Sequence, residues 1–489
     1  MELKETRNLS AGVKALLVPL FAIMCGFMWR VRGSHGWGSM WGMFAVGVMM
    51  ILAIYAFFGN RRKMSYEAIP AAVILLGITN GGWGTLNSQM GGYLGSTAPF
   101  TGEEVAATVE INPYYGLWVM LLLGFGWMPL FSIFIGSLFS KRDYKIKNYV
   151  AIVAVFYALV AVFMFVVSHF IVPYVSPTAV DMFKEGLADK GIEMSPLMAF
   201  IKNLGSEAWF KKIPFGRNYY ASIRVISYSA SALLTSLTVL VAFRDKITAF
   251  LSTVINVIMA LSITLADVFL IIDSDKGFLA KVTPPAFLAN GSWSLWEYFT
   301  GFLMGFGVML LLVCLPKKIT QGEGRFEYTE PFGKKWIFAA YSAVLTLFFT
   351  FVLTVARPAG MRIADMLVAR GIIGESDVVE IVITAVLGVI GFAACVPVVK
   401  KNVVAKALPV PVPKRAEDFC MSAAPVYFLV TALMYFFTDD ACLVQLIKNP
   451  SSLLNVTRDS GVVLTLLMLA SFILFYVLYL ATSKKSKKI

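Results

Sequence analysis

Charge is scarce in this chain. Only 15% of its 489 residues are Asp, Glu, Lys or Arg, against 58% that are hydrophobic. A soluble protein of this length carries roughly a quarter charged residues, so a soluble enzyme or soluble binding domain is excluded. Histidine is scarcer still, at two residues. Neither His35 nor His169 has Cys or paired carboxylates at ligand spacing, so no metal site is expected. The five cysteines (Cys25, Cys314, Cys395, Cys420 and Cys442) are odd in number and scattered, mostly in or beside apolar stretches. That argues against a disulfide framework. There is no Walker A loop, no dinucleotide fingerprint, no HExxH and no GxSxG. No cofactor is expected, and ATP-driven transport would require another chain. The arginine ladder of a voltage sensor is also missing.

What fills the chain instead is a series of long apolar runs. About 20 such residues, rising 1.5 Å each, cross a hydrocarbon core of about 30 Å. Candidate spans are 12–31, 39–58, 66–82, 114–139, 149–172, 221–243, 248–272, 294–315, 336–356, 378–399, 419–438 and 461–482. Closed barrels show weaker, alternating segments of about ten residues. The expected fold is therefore all-α, a polytopic helical membrane protein of about 12 transmembrane helices.

The net charge of +13 is a matter of topology. Basic residues gather after every second span: Lys4, Arg7 and Lys14, then Arg61, Arg62 and Lys63, then Lys141, Arg142, Lys145 and Lys147, then Arg244 and Lys246. The pattern continues through Lys317, Lys318, Arg325, Lys334 and Lys335, then Lys400, Lys401, Lys406, Lys414 and Arg415, and ends at Lys484, Lys485, Lys487 and Lys488. Segment 83–113, on the opposite side, has no Lys or Arg at all. Lys and Arg on short loops hold those loops in the cytoplasm, so both termini are expected there, in a multi-pass protein of the plasma (inner) membrane. The first apolar segment is preceded by no cleavage site and is read as a span. Membrane lipids are the expected partners, with the basic face drawn to anionic headgroups. No nucleic acid is expected, and partner subunits are not specified.

The longest outer segment is 173–220. Within it, 180–190 and 197–212 mix apolar and charged residues as interfacial helices do. On the inner side, Leu408-Pro409-Val410-Pro411-Val412-Pro413 reads as a semi-rigid spacer and 322–332 as a polar loop. Glycine- and tryptophan-rich motifs recur at outer helix ends: Arg32-Gly33-Ser34-His35-Gly36-Trp37-Gly38, Asn80-Gly81-Gly82-Trp83-Gly84 and Asn290-Gly291-Ser292-Trp293. The first and third open spans two and eight, each followed by spaced glycines, Gly42 and Gly47, then Gly301 and Gly305. A duplicated unit of six helices, 1–246 and 247–489, would make these positions equivalent, as in transporters built from repeats. Interface anchoring by Trp and close packing by Gly account for the same pattern without duplication. Such a six-plus-six layout resembles the major facilitator architecture in outline. The join between spans six and seven, however, is only Arg244-Asp245-Lys246, where that family has a long central loop.

Ionisable groups at membrane depth cost about 2.5–3.5 kcal/mol on insertion scales, so each needs a reason. Asp267 in span seven could hold a coupling proton or sodium ion. Arg30 and Arg32 precede His35 and a run of glycines, and their planar guanidinium forks suit carboxylate or phosphate. Trp37, Asn80, Trp83, Asn87 and Gln89 add hydrogen-bonding groups and aromatic platforms, as do Asn290, Trp293 and Glu297 in the second half. The leading expectation is a secondary-type transporter of a small polar or anionic solute. The rival is a membrane-embedded transferase acting on a lipid-linked or extracytoplasmic acceptor, with His35 as general base.

Overall fold

The computed structural model describes residues 9–34, 50, 54, 57–58, 113–142, 144, 146–175, 177–203, 207–210, 212–269, 292–316, 319, 356–374, 377–399, 447, 450, 470–471 and 473–482. Among the described residues every regular element is helical. They are α1 (Ala11–Ser34), α2 (Pro113–Phe125), α3 (Pro129–Leu138), α4 (Ile146–Val166), α5 (Val172–Val175), α6 (Pro177–Asp189), α7 (Pro196–Lys202), α8 (Glu207–Phe210), α9 (Gly216–Val241), α10 (Lys246–Ala266), α11 (Ser292–Cys314), α12 (Arg357–Ala369), α13 (Asp377–Val399) and α14 (Ile473–Thr482). A π-helical turn, Val167–Ile171, joins α4 to α5.

Among the described residues, five stretches are long and apolar enough to cross a membrane: Ala11–Arg30, Lys147–Val175, Tyr219–Val241, Lys246–Ala266 and Leu295–Cys314. A sixth is broken. Leu117–Phe125 and Pro129–Leu138 meet at 47°. Pro129 opens α3 and has no N–H to continue the ladder from α2, and Gly126 and Met128 take up the turn. These six stretches match six of the runs expected from hydropathy, and α13 matches a seventh, 378–399. The runs 66–82, 336–356 and 419–438 lie outside the described residues, as do most of 39–58 and the first part of 461–482.

The chain divides into two compact units, residues 78–300 and residues 1–77 with 301–489. In unit 78–300, α10 packs along both α2 and α3, and α9 packs along α4, α2 and α10. Glycine sets the spacing. A Cβ at Gly124 would lie 2.6 Å from the Ala260 Cα, and one at Gly136 would lie 2.9 Å from the Thr248 carbonyl oxygen. Small residues let membrane helices approach backbone to backbone in this way. Three buried hydroxyl side chains of α9 are satisfied locally: Ser227, Ser231 and Thr235 donate to the carbonyls of Ile223, Ser227 and Ser231. Ser236 and Ser252 join α9 to α10 at 3.0 Å.

Helices α6 to α8 fall within 173–220. Phe183, Phe200 and Phe210 are buried and pack on Tyr219 and Tyr220 at the start of α9, with ring centres 4.6 Å apart for Phe183 and Tyr219 and 4.8 Å for Phe210 and Tyr220. The expected helix at 197–212 is thus two short helices folded against α9. Tyr174, Met198 and Ile201 remain exposed.

In the other unit, α1 meets residues 301–314 of α11 in antiparallel register. A Cβ at Gly301 would lie 2.5 Å from the Cys25 carbonyl oxygen, and one at Gly305 would lie 2.7 Å from the Cys25 Cβ. Lys14 Nζ donates to the Val313 carbonyl at 3.0 Å, a cation set against the negative end of a helix. Helices α12 and α13 pair through Gly360, which abuts Thr384. Phe57 stands edge-on to Phe475 on α14.

Candidate functional site

The expected coupling residue is enclosed. Asp267 caps the end of α10 and is 0% exposed. Trp296, on the first turns of α11, donates its indole N–H to Asp267 Oδ1 at 2.6 Å. Asp267 Oδ2 is also buried and has no hydrogen-bond partner among the described residues. Thr300, one turn beyond Trp296, is fully buried. Phe269, two residues after Asp267, packs on Phe299, three residues after Trp296, with ring centres 4.6 Å apart. A carboxylate shut away from water lowers its cost by taking up a proton or a cation, and one indole N–H does neither. Trp296 follows Trp293 of the third glycine–tryptophan motif by three residues on the same helix.

The other candidates are placed as follows. Arg30 is buried in α1, with 3% exposure. Arg32 and Trp293 lie within α1 and α11, and their side chains are not described. Glu297 is half-buried on α11. His35, Trp37, Asn80, Trp83, Asn87, Gln89 and Asn290 lie outside the described residues. His169 is exposed on the π-helical turn, flanked by Phe165 and Phe170. Cys25 and Cys314 are free thiols. Among the described residues, no group of three His, Cys, Asp or Glu is placed to hold a metal ion.

Known proteins offer no guide. No family model, curated protein or solved structure matches this chain.

Two buried polar side chains were not singled out from the sequence. Arg224 is 6% exposed on α9, its guanidinium carbon 5.1 Å from the centre of the Tyr228 ring. Asn256 is 0% exposed at the middle of α10, and neither its amide nitrogen nor its amide oxygen has a hydrogen-bond partner among the described residues. Arginine within run 221–243 and asparagine at the centre of run 248–272 were the available signals.

At the other end of α10 a clasp ties two turns together. Arg244 takes a left-handed φ of 52°, which turns α9 into α10 within a few residues. Asp245 then caps α10, accepting from the backbone N–H groups of Ile247 and Thr248. Its second carboxylate oxygen accepts from Thr248 Oγ1 at 2.6 Å and from Tyr144 Oη at 2.8 Å. Tyr144 stacks on Phe243, and Arg142 donates to the Phe243 carbonyl at 2.6 Å. Burial pushes the Asp245 carboxyl up, but hydrogen bonds from Ser140, Thr248 and Tyr144 outweigh it and hold the group below the usual carboxylate range. Burial, and then the Asp245 charge, push the Tyr144 hydroxyl above its ordinary range, so it stays protonated as a donor. The link between α3 and α4 is thereby fastened to the turn between α9 and α10.

Proposed function

We propose that this chain is a secondary-type transporter of a small polar or anionic solute, with about twelve spans in the plasma (inner) membrane and both termini cytoplasmic. Two six-helix halves, 1–246 and 247–489, flank the solute path. Arg30, Arg32 and His35, with the glycine–tryptophan motifs, contact the solute. Asp267 carries the coupling proton or sodium ion.

The observation that supports this reading best is Asp267 itself. It is wholly buried at the end of an apolar helix and, among the described residues, held by a single indole N–H. A chain that served only to pack helices would gain by replacing it, because a buried charge costs several kcal/mol even after relaxation. Arg224 and Arg30, buried in spans of their own, add to the same argument.

The test is solute uptake by proteoliposomes under an imposed proton or sodium gradient, with labelled carboxylates, phosphates and sugars as the panel. Gradient-driven accumulation of one class, lost in Asp267→Asn at equal protein content, is the expected result. No gradient-driven movement of any solute, or an unimpaired Asp267→Asn variant, would overturn the reading.

A further inference from the structure

The break between α2 and α3 sits inside the packing of unit 78–300, and two neighbouring helices fix what faces it. Gly124, just before the break, abuts Met259, Ala260 and Ile263 of α10, while Gly136, one turn from the end of α3, abuts Thr248. These contacts run α2 and α3 antiparallel to α10 and set Asn256 level with residues 127–129. Asn256, Ala260 and Ile263 are spaced i, i+4 and i+7, so Asn256 shares the helix face that Gly124 touches. On the other flank, a Cβ at Gly126 would lie 2.8 Å from the Ser229 backbone nitrogen and 3.1 Å from the Tyr228 Cβ. Arg224 lies one turn from Tyr228, its guanidinium over that ring.

Three features of this spot can meet an anion: a positive helix end, an amide N–H and a guanidinium. The first turn of α3 has backbone N–H groups without intrahelical partners, and its cap residue Met128 supplies no side-chain bond. That end of a helix dipole is positive. Asn256 offers a buried amide with both polar atoms unengaged among the described residues, and in native proteins a buried, unsatisfied polar side chain marks a bound water, ion or ligand. Arg224 supplies a full positive charge within a turn. Broken membrane helices bind anionic groups at half-helix N-termini for this reason.

We propose that the break at Gly126–Met128 is a mid-span binding site for a small anion of halide or carboxylate size, held by the first turn of α3, Asn256 and Arg224. The anion is either a free inorganic ion or the carboxylate end of the transported solute. The second possibility rests on the transporter reading, whereas the site itself does not.

The experiment is thermal unfolding of the purified full chain in detergent at constant ionic strength. Sodium gluconate, whose anion is far bulkier than a halide or formate, is replaced stepwise by sodium bromide in one arm and by sodium formate in the other. A ligand that binds only the folded state raises the unfolding temperature saturably. A saturable rise is expected in at least one arm: bromide alone points to an inorganic ion, formate to a carboxylate. Asn256→Leu and Arg224→Gln should each weaken the half-saturation point about tenfold or more, the loss expected for one good hydrogen bond or charge contact. No rise in either arm, or rises unchanged in both variants, would overturn the site. If the variants do not fold, anomalous scattering from bromide in crystals of the unmodified protein decides: density between Trp127 and Asn256 supports the site. Density at surface Lys and Arg alone, an adventitious ion only, overturns it. Anion binding without solute flux in proteoliposomes would leave the site standing and remove the transporter reading.

Discussion

Replacing Asp267 by Asn should leave the fold at least as stable, while replacing Trp296 by Phe should weaken it. Asp267 is fully buried and receives one hydrogen bond, from Trp296 Nε1 at 2.6 Å. A hydrogen bond to a charged group returns about 1.5–3 kcal/mol net. Removing a carboxylate from water costs several kcal/mol even after relaxation, so the cost exceeds the return. Asn retains an acceptor oxygen for the indole and removes the charge. The expected change is therefore between zero and about 3 kcal/mol in favour of the folded state. A protonated Asp267 would escape the charge but set an O–H at Oδ2, where no partner lies among the described residues; Asn sets its NH2 at the same place, so the change in that case is close to zero. Trp296→Phe removes the N–H, leaves both carboxylate oxygens without that donor and opens a gap, for a loss of about 2–4 kcal/mol. Unfolding should be followed by circular dichroism at the helix band, since changing one of ten tryptophans alters the fluorescence signal. A destabilisation of Asp267→Asn by more than about 1 kcal/mol would refute the reasoning. The carboxylate would then be a net support of the fold, and its presence would need no chemistry.

Gly124→Ala places a methyl 2.6 Å from the Ala260 Cα and should cost about 1–3 kcal/mol through forced separation of α2 from α10, read as a lower unfolding temperature; Gly301→Ala should do the same between α1 and α11. The Asp245 carboxyl lies below its unfolded value of about 3.9, so its stabilisation is complete above about pH 5 and is lost as pH falls through the folded value. Asp245→Asn, which keeps a capping side chain, should be less stable than the parent at neutral pH, with the gap closing as pH falls below about 4. Single cysteines at positions 104 and 190, in a cysteine-free background, should react with an impermeant thiol reagent in intact cells; labelling only after permeabilisation would invert the proposed topology.

The long apolar helices were legible because the length and apolarity needed to cross a bilayer mark every residue of a run at once. The run 248–272 foretold α10, and the three-residue join 244–246 foretold the tight turn before it. The break within 114–139 was not read, although Gly124, Gly126 and Pro129 were there to mark it. Hydropathy averages over a window and is blind to one residue that lacks an N–H. The site was legible in fragments. Asp267 stood out as a carboxylate, and Trp296 stood three residues after a noted motif, but 28 residues lie between them and nothing in their spacing joins them. Asn256 escaped because an uncharged amide barely lowers mean hydropathy, although burial without a partner makes it costly. Arg224 escaped because it stands near the start of run 221–243, where one cation does not interrupt the apolar run that follows. The glycines of α11 matched the simpler of their two readings, since Gly301 and Gly305 let α1 approach.

The clasp around Asp245 gives α10 a fulcrum. A helix of 21 residues is about 31 Å long, and its Asp245 end is pinned by Tyr144, Thr248 and the Phe243 turn. A tilt of about 10° around that pinned end would carry Asp267 through roughly 5 Å, several times the slack of a hydrogen bond, while barely disturbing the clasp. Lever geometry thus concentrates displacement at the residue that Trp296 holds, so making or breaking that one bond can report, or set, the angle of the whole helix.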